Sequence, residues 1–434
     1  MRVAHLAAGA GGMYCGSCMH DNRLAAALRA AGRDVLLMPL YTPLRTDETD
    51  VSHAHIYYGA VNVFLQHATA LFRHTPWFVD RLLDARVLLG SVGRLAARTR
   101  PEVLGRMTLA VLQGAHGPQR KELDKLIAGL RRLRPALVQL PNLMFVGVAR
   151  PLKAALGVPV LCGLTGEDVF VDRLPEPYRR QVFDLIRAGA ADVDGFVALT
   201  EYYANHAAEH FGLPRERVHC IPMGIRATEF AGPRPATAGP PTIGYLARVC
   251  PEKGLAELGR ALARLRSVGR TCRLRAAGYL GPADAPYLAA VTDELRRAGC
   301  SDDFEYVGEV TRAQKIDFLR SIDVLAVPTV YPESKGFYVL EALAAGVPVV
   351  LPRHGAFPEL SAATGGVRLH EPGDVEGLAA ALGELLDNEA LRRRLGEAGG
   401  AAVVDRFGAE RMAAEAWRLY ERIAESSRTP PTAG

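Results

Sequence analysis

The densest run of chemistry-bearing side chains in this 434-residue chain is ESKGFYVLE, residues 333–341. It follows DVLAVPTVYP, an apolar stretch closing in a turn. Glu333 therefore falls in a loop just past a strand end, and residues 336–345 read as a helix. A helix start offers unpaired backbone N–H groups and a positive dipole end, which suits a diphosphate. Gly336 lets the backbone approach such a ligand closely. Glu341 lies about one turn into the helix, and its two acceptor oxygens match the paired hydroxyls of a ribose. Glu333 could take the hydroxyls of a sugar in the same way. Solvated helices also carry glutamates at this spacing, so the pair alone decides nothing.

Context sharpens the reading. LARVCPEKG, after the apolar run 242–246, puts Arg248 and Lys253 on one loop. Two cations there would stabilise the charge that grows on a departing diphosphate, a role metal ions play elsewhere; either one alone reads as a surface cation. HGAFPE, from His354 to Glu359, follows another strand. In the first half, LCGLTGEDVF sets Glu167 and Asp168 just past a strand, either as sugar contacts or with Glu167 capping the next turn. Asp192-Val-Asp194 has the letters of a metal motif but precedes a buried strand and reads as a turn. Cys15 and Cys18 form one C-x-x-C without a second pair, so a zinc site would need His5, His20 or distant ligands. Small residues lining a tight loop are the favoured reading of that pair, ahead of metal or redox chemistry.

Strand-length apolar runs alternate with helix-period segments almost from end to end, the pattern of parallel sheets covered by helices. Strands are expected at 3–7, 35–38, 136–140, 159–164, 195–199 and 218–221, with a glycine-rich loop at 9–16 and a helix at 22–31. After the Pro- and Gly-rich stretch AGPRPATAGPP (231–241) they resume at 242–246, 273–276, 304–307, 324–327 and 348–351. The expected architecture is α/β, with two doubly wound Rossmann-like domains. The first spans 1–230, the linker 231–241 and the second 242–410, and a terminal helix covers 411–434. Ligands of such sheets bind at the carboxyl ends of strands, and a cleft between facing domains is the natural place for them. Residues 56–116 break the alternation and read as inserted helices bearing Tyr57, Phe64, Phe72, Trp77 and Phe78.

Taken in order, these pieces resemble glycosyltransferase family 4 over nearly the whole chain. The matching segments are the loop at 9–12, LAAALRAAGRDVLLMPL, IPMGIRATEF, ARVCPEKG, VGEV with the E-x7-E element, GAFPEL, and RFGAERMAAEAWRLYERI. The resemblance implies a GT-B fold, a nucleotide diphosphate sugar held by the second domain, and metal-independent transfer with retention at the anomeric carbon. It implies that Arg248 and Lys253 hold the diphosphate, Glu341 the ribose and Glu333 the sugar hydroxyls. Gly336 and Phe337 would offer N–H groups, and the stretch ending at Val310 would border the base. Gly11 and Gly12 would face donor phosphates and acceptor, and the terminal helix would cross back onto the first domain. Many relatives have a histidine where this chain reads Glu167-Asp168, so that position departs from the pattern.

The rivals are weaker. A dinucleotide fingerprint would want glycine or alanine where Tyr14 stands, and it leaves the basic loop and E-x7-E unexplained. A sugar-nucleotide hydrolase or epimerase on the same fold, or an inactive sugar-nucleotide binder, are the alternatives. No cofactor beyond the donor co-substrate is expected. The acceptor is a sugar, a lipid-linked sugar or a small molecule. Apolar residues are 49% and charged residues 23%, which is globular rather than disordered. The net charge of +5 is concentrated in residues 51–134, with thirteen Lys or Arg against five Asp or Glu. That segment lacks the aromatic-basic pattern of a single-strand nucleic-acid binder, and an anionic partner or membrane surface suits it better. The start lacks a leader's long apolar core, and seven scattered cysteines suit a reducing compartment, so a cytoplasmic protein is expected. The helices of 56–116 read first as ordinary amphipathic helices packed on the first domain, with peripheral membrane contact through 51–134 as the alternative.

Overall fold

The computed structural model describes residues 1–9, 15–56, 59, 101–232 and 239–427. Gly11 and Gly12, most of the expected insertion at 56–116, and residues 233–238 of the expected linker lie outside them. The chain divides into two compact units, Met1–Pro222 with Ala409–Gly434, and Met223–Gly408.

The first unit holds six parallel strands: β1 (Arg2–Ala7), β2 (Asp34–Pro39), β3 (Leu137–Leu140), β4 (Val160–Gly163), β5 (Gly195–Ala198) and β6 (Val218–Cys220). They lie in the order β2-β1-β3-β4-β5-β6. Both faces are covered, so β3, β4 and β5 are buried at every position and read as continuous apolar runs rather than alternating ones. Around them run α1 (Gly16–Ala30), α2 (Pro101–Leu112), α3 (Arg120–Leu133), α4 (Ala149–Leu156), α5 (Asp168–Val171), α6 (Tyr178–Ala190) and α7 (Glu201–Phe211).

The helix expected at 22–31 begins six residues earlier, and its first two turns carry a buried polar face. His5 meets Asp21 at 3.1 Å, Arg23 meets Glu48 at 2.7 Å, and Asn22 bonds the backbone of Thr49 and Val51. Hydrophobic periodicity cannot reveal a helix start whose inward residues are His, Asp, Asn and Arg.

The second unit has the strands β7 (Thr242–Leu246), β8 (Arg273–Ala277), β9 (Phe304–Gly308), β10 (Val324–Ala326), β11 (Val349–Pro352) and β12 (Val367–His370), in the order β12-β11-β10-β7-β8-β9. Its helices are α8 (Leu255–Ser267), α9 (Ala285–Arg297), α10 (Arg312–Arg320), α11 (Phe337–Ala344), α12 (Phe357–Thr364), α13 (Val375–Asp387) and α14 (Glu389–Arg406). The units part at 222/223, ahead of the Pro- and Gly-rich stretch. Ile225 bridges Gly408, and Arg312 bonds Glu229 at 2.7 Å, which fastens residues 223–230 to the second unit rather than the first.

The last helix, α15 (Ala409–Ser426), belongs to the first unit. Met412, Ala416, Trp417 and Tyr420 are buried with Leu24 and Leu28 of α1 and with Val3 of β1. Tyr420 also donates to Gln139 Oε1 at 2.6 Å, a polar pin inside this core. Among the described residues no helix is long and apolar enough to cross a membrane.

Candidate functional site

In the second sheet the strand order runs β7, β8, β9 to one side and turns back to β10 on the other. The crevice beyond the carboxyl ends of β7 and β10 is thus a topological switch point, the expected ligand position in such sheets. β7 pairs β10 through Ile243–Val324 and Gly244–Leu325, so the loops after these two strands emerge side by side. One loop carries Lys253 and the other Glu333, 80 residues apart in sequence and joined here by an ion pair.

Local chemistry fixes both loops. Gly254 has φ 75°, and a Cβ there would lie 1.8 Å from the carbonyl oxygen of Pro328, so only glycine lets the loops approach. Val330 N–H then donates to Glu252 O at 3.0 Å, tying the loops together. Gly336, at φ 150°, precedes the first residue of α11 and turns the chain from Glu333 into the helix. The HGAFPE segment packs on the same place: Ala356 N–H donates to Glu333 O at 2.8 Å, and the His354 ring contacts Thr329 O at 2.9 Å. Burial holds His354 below the ordinary imidazole value.

Lys253 Nζ also donates to Tyr331 Oη at 2.7 Å, and Tyr331 donates to Glu333 Oε2 at 3.1 Å. Burial alone would lower the Lys253 ammonium, but the Glu333 carboxylate outweighs it and the pKa stands above the usual lysine value. Burial likewise pushes Glu333 up, and Lys253 more than reverses it, leaving the carboxyl below its usual range. Both groups stay charged through the neutral range. Arg248, on the same loop, is exposed, with Cys250, Asp284 and Glu252 holding its guanidinium charged against partial burial.

Glu341 is 3% exposed and accepts from Lys315 Nζ at 2.7 Å, Lys315 being 7% exposed. The sequence reading missed Lys315. It sits on α10, fixed at its start by a capping box between Thr311 and Gln314. Val310, half-buried, lies immediately before that cap, and Phe337 is buried as the first residue of α11.

In the first unit, pairing of β4 with β5 brings the Glu167 loop against α7. The Glu167 carboxylate accepts from Thr165 N–H at 2.9 and 3.0 Å, and its Oε2 is 2.9 Å from the Tyr203 hydroxyl. It braces its own turn. The more accessible group is Asp168, 2.8 Å from Tyr203 Oη and 3.3 Å from His206 Nε2. His206 stacks between Tyr202 and His210, with ring centroids 5.7 and 5.3 Å away. A signal for it exists in the spacing. His206 and His210 are one turn apart on α7, and Asp172, one turn beyond Asp168, meets His210 at 3.1 Å.

Asp194 serves the fold, bonding Val160 N–H at 2.7 Å and Lys153 at 2.8 Å. Cys15 precedes α1 and Cys18 lies in its first turn; a hydrogen bond with Cys15, then burial, raises the Cys18 thiol far above its ordinary value. Such a thiol stays protonated and is a poor nucleophile.

The Asp168 hydrogen bond raises His206 against burial, while His206 and Tyr203 outweigh burial to lower Asp168. The His206 contribution to stability is full below its ordinary value of 6.5 and is lost as pH rises through the higher folded value. That of Asp168 is present above 3.8 and lost as pH falls through the lower one. In an NMR titration His206 is expected to titrate above 6.5, and Asp168→Asn to bring it down; an unmoved midpoint in that variant would break the assignment.

Two parallel α/β units, the second with a cationic loop joined to Glu333 at its switch point, are the architecture of the GT-B class. Residues 110–229 match the family described as Glycosyltransferase Family 4, and residues 228–401 match Glycosyl transferases group 1. The two matches adjoin and together support a protein of the group 1, family 4-like glycosyltransferases. It is 30% identical to the MMP alpha-(1->4)-mannosyltransferase of Mycolicibacterium hassiacum, over 54% of this chain and 55% of that protein. It is also 30% identical to the D-inositol 3-phosphate glycosyltransferase of Nocardia farcinica, over 51% of each. The chain thus spans about half the length of these curated relatives. In fold it is like sucrose-phosphate synthase from Thermosynechococcus elongatus, with a TM-score of 0.73 at 18% identity over 98% of this chain and all of that one. Anabaena HepE, solved with UDP and glucose, gives a TM-score of 0.69 at 15% identity over 97% of this chain and all of that one.

Proposed function

We propose that this protein is a glycosyltransferase that moves a sugar from a nucleotide diphosphate donor to an acceptor hydroxyl, with retention at the anomeric carbon and without a metal ion. The observation that carries the reading is the cation–carboxylate cluster at the β7/β10 switch point, Lys253 with Glu333 and Tyr331, beside Arg248. In this reading Lys253 and Arg248 meet the diphosphate, Glu333 the sugar hydroxyls, and Glu341 the ribose. Gly336 and Phe337 present backbone N–H groups, and Val310 borders the base. The bond from the anomeric carbon to the diphosphate oxygen breaks, and a bond to the acceptor oxygen forms. The diphosphate leaves with the electron pair, and its departing oxygen takes up the proton that the acceptor hydroxyl gives up. Negative charge grows on the diphosphate in the transition state, and fixed cations in a partly buried site stabilise it more than the ground state.

Relatives named as mannosyl and inositol-phosphate glycosyltransferases, and a structural neighbour holding UDP and glucose, support a nucleotide-sugar donor and a polyol or sugar acceptor. In the first unit Asp168, paired with His206, is the sugar contact we favour, with Glu167 bracing its turn.

The test is direct. One of UDP, GDP or ADP is expected to raise the thermal midpoint in the presence of a chelator, because bound ligand stabilises the folded state by about 2.7 kcal/mol at 100 times its dissociation constant. Stabilisation that appears only with Mg²⁺ or Mn²⁺ would overturn the metal-free mechanism.

A further inference from the structure

Tyr338 is the second residue of α11, and its hydroxyl is buried without a hydrogen-bond partner among the described residues. A buried hydroxyl with nothing to bond is costly and needs a reason. Its surroundings supply one. The Lys253 ammonium lies 5.9 Å from the Tyr338 ring centroid and 5.0 Å from that of Tyr331. Burial, and then the Glu333 charge, keep the Tyr338 phenol protonated well beyond the neutral range, so it remains a donor. Lys253 in this state is committed to Glu333 and Tyr331. A diphosphate arriving at Lys253 must compete with Glu333 for the ammonium, and the carboxylate it deserts would be buried with one donor fewer.

We propose that Tyr338 is a positioning residue whose hydroxyl takes the place of Lys253 on Glu333 when a diphosphate draws the ammonium away. The exchange keeps Glu333 ionised and aimed while Lys253 serves the leaving group. It rests on the glycosyl-transfer reading and adds to it a switch of partners. No covalent bond changes: Lys253 keeps its proton and moves its hydrogen bond, and Tyr338 gains an acceptor for the one it holds.

The experiment uses the full chain with Tyr338→Phe, Glu333→Gln and the double variant. Thermal midpoints are read without ligand, and calorimetry reads affinity for UDP, GDP and ADP. Tyr338→Phe is expected to leave the unliganded midpoint unchanged or raised, since it deletes a hydroxyl that bonds nothing. It is expected to weaken the best-bound diphosphate by roughly tenfold, the size of one hydrogen bond to a charged group. In the Glu333→Gln background the same change is expected to cost less than about twofold, because the acceptor charge is gone. Unchanged diphosphate affinity in Tyr338→Phe overturns the proposal, as does a tenfold loss that persists in the Glu333→Gln background. If the wild-type chain binds none of the three diphosphates, the donor reading itself fails and takes this proposal with it.

Discussion

In the proposed mechanism Lys253→Ala is expected to lower transfer from the nucleotide-sugar donor by roughly 10²-fold or more, the size of effect that removing one preorganised transition-state donor has. Glu333 and Tyr331 hold the ammonium at the loop where the diphosphate would bind, and it has only to change hydrogen-bond partner to meet the ligand. Arg248→Ala produces a loss of the same order through the second cation. The two variants differ in stability. Arg248 is exposed, and its removal leaves the fold nearly untouched. Lys253 leaves a carboxylate that is 6% exposed, and breaking a buried pair from one side costs about 3–5 kcal/mol.

The pH dependence follows from the two shifts. Glu333 is lowered, so its contribution is present above the ordinary 4.5 and lost as pH falls through the folded value. Lys253 is raised, so its contribution is present below 10.5 and lost as pH rises through its own higher value. The stability gap between wild type and Lys253→Ala is therefore full from about pH 5 to pH 10 and closes on either side. Lys253→Ala combined with Glu333→Gln is expected to recover much of the stability and none of the turnover. Single-turnover rates and thermal midpoints of the three proteins decide the matter, and full transfer in Lys253→Ala would remove the cation from the mechanism.

Most strands were legible because both faces of a parallel sheet are buried, which leaves uninterrupted apolar runs such as TIGYL and VVLP. β12 was not legible. Val367–His370 is an edge strand of four residues with two half-buried positions, Arg368 and Leu369, so neither length nor pattern lifts it above a loop. The site shows the same division. Lys253 and Glu333 could be named from their places after strands, but their mutual contact depends on the order of β7 and β10, which sequence does not state.

Lys315 stayed hidden for another reason. It is a lysine buried on a polar helix, and periodicity assigns such a residue to the solvent side. At Glu167 the sequence shows a polar residue just past a strand end and leaves sugar contact and turn capping both open. Only coordinates reveal that its oxygens serve Thr165 and Tyr203, leaving Asp168 with the histidine partner.

Lys315 gives the second large effect. Glu341 and Lys315 form a buried pair 2.7 Å apart, so Glu341→Ala is expected to lower stability by about 3–5 kcal/mol as well as weaken the donor. A loss of donor binding would by itself be ambiguous, because a buried lysine that has lost its carboxylate can distort α10 and α11 without any ribose contact. Two comparisons separate these causes. Lys315→Met with Glu341→Leu replaces the pair by apolar side chains of similar volume, a change that is often neutral or stabilising. That protein is expected to regain a near wild-type thermal midpoint and still bind the nucleoside diphosphate weakly.

The second comparison changes the ligand rather than the protein. Removing both ribose hydroxyls from the best-bound diphosphate should cost the wild type roughly tenfold or more in affinity, as hydrogen bonds to a charged acceptor do. Against the apolar double variant the same removal should cost almost nothing, since no carboxylate remains to accept them. A double variant that still discriminates the two ligands as strongly as wild type would place the ribose elsewhere and leave Glu341 as the internal counter-ion of Lys315.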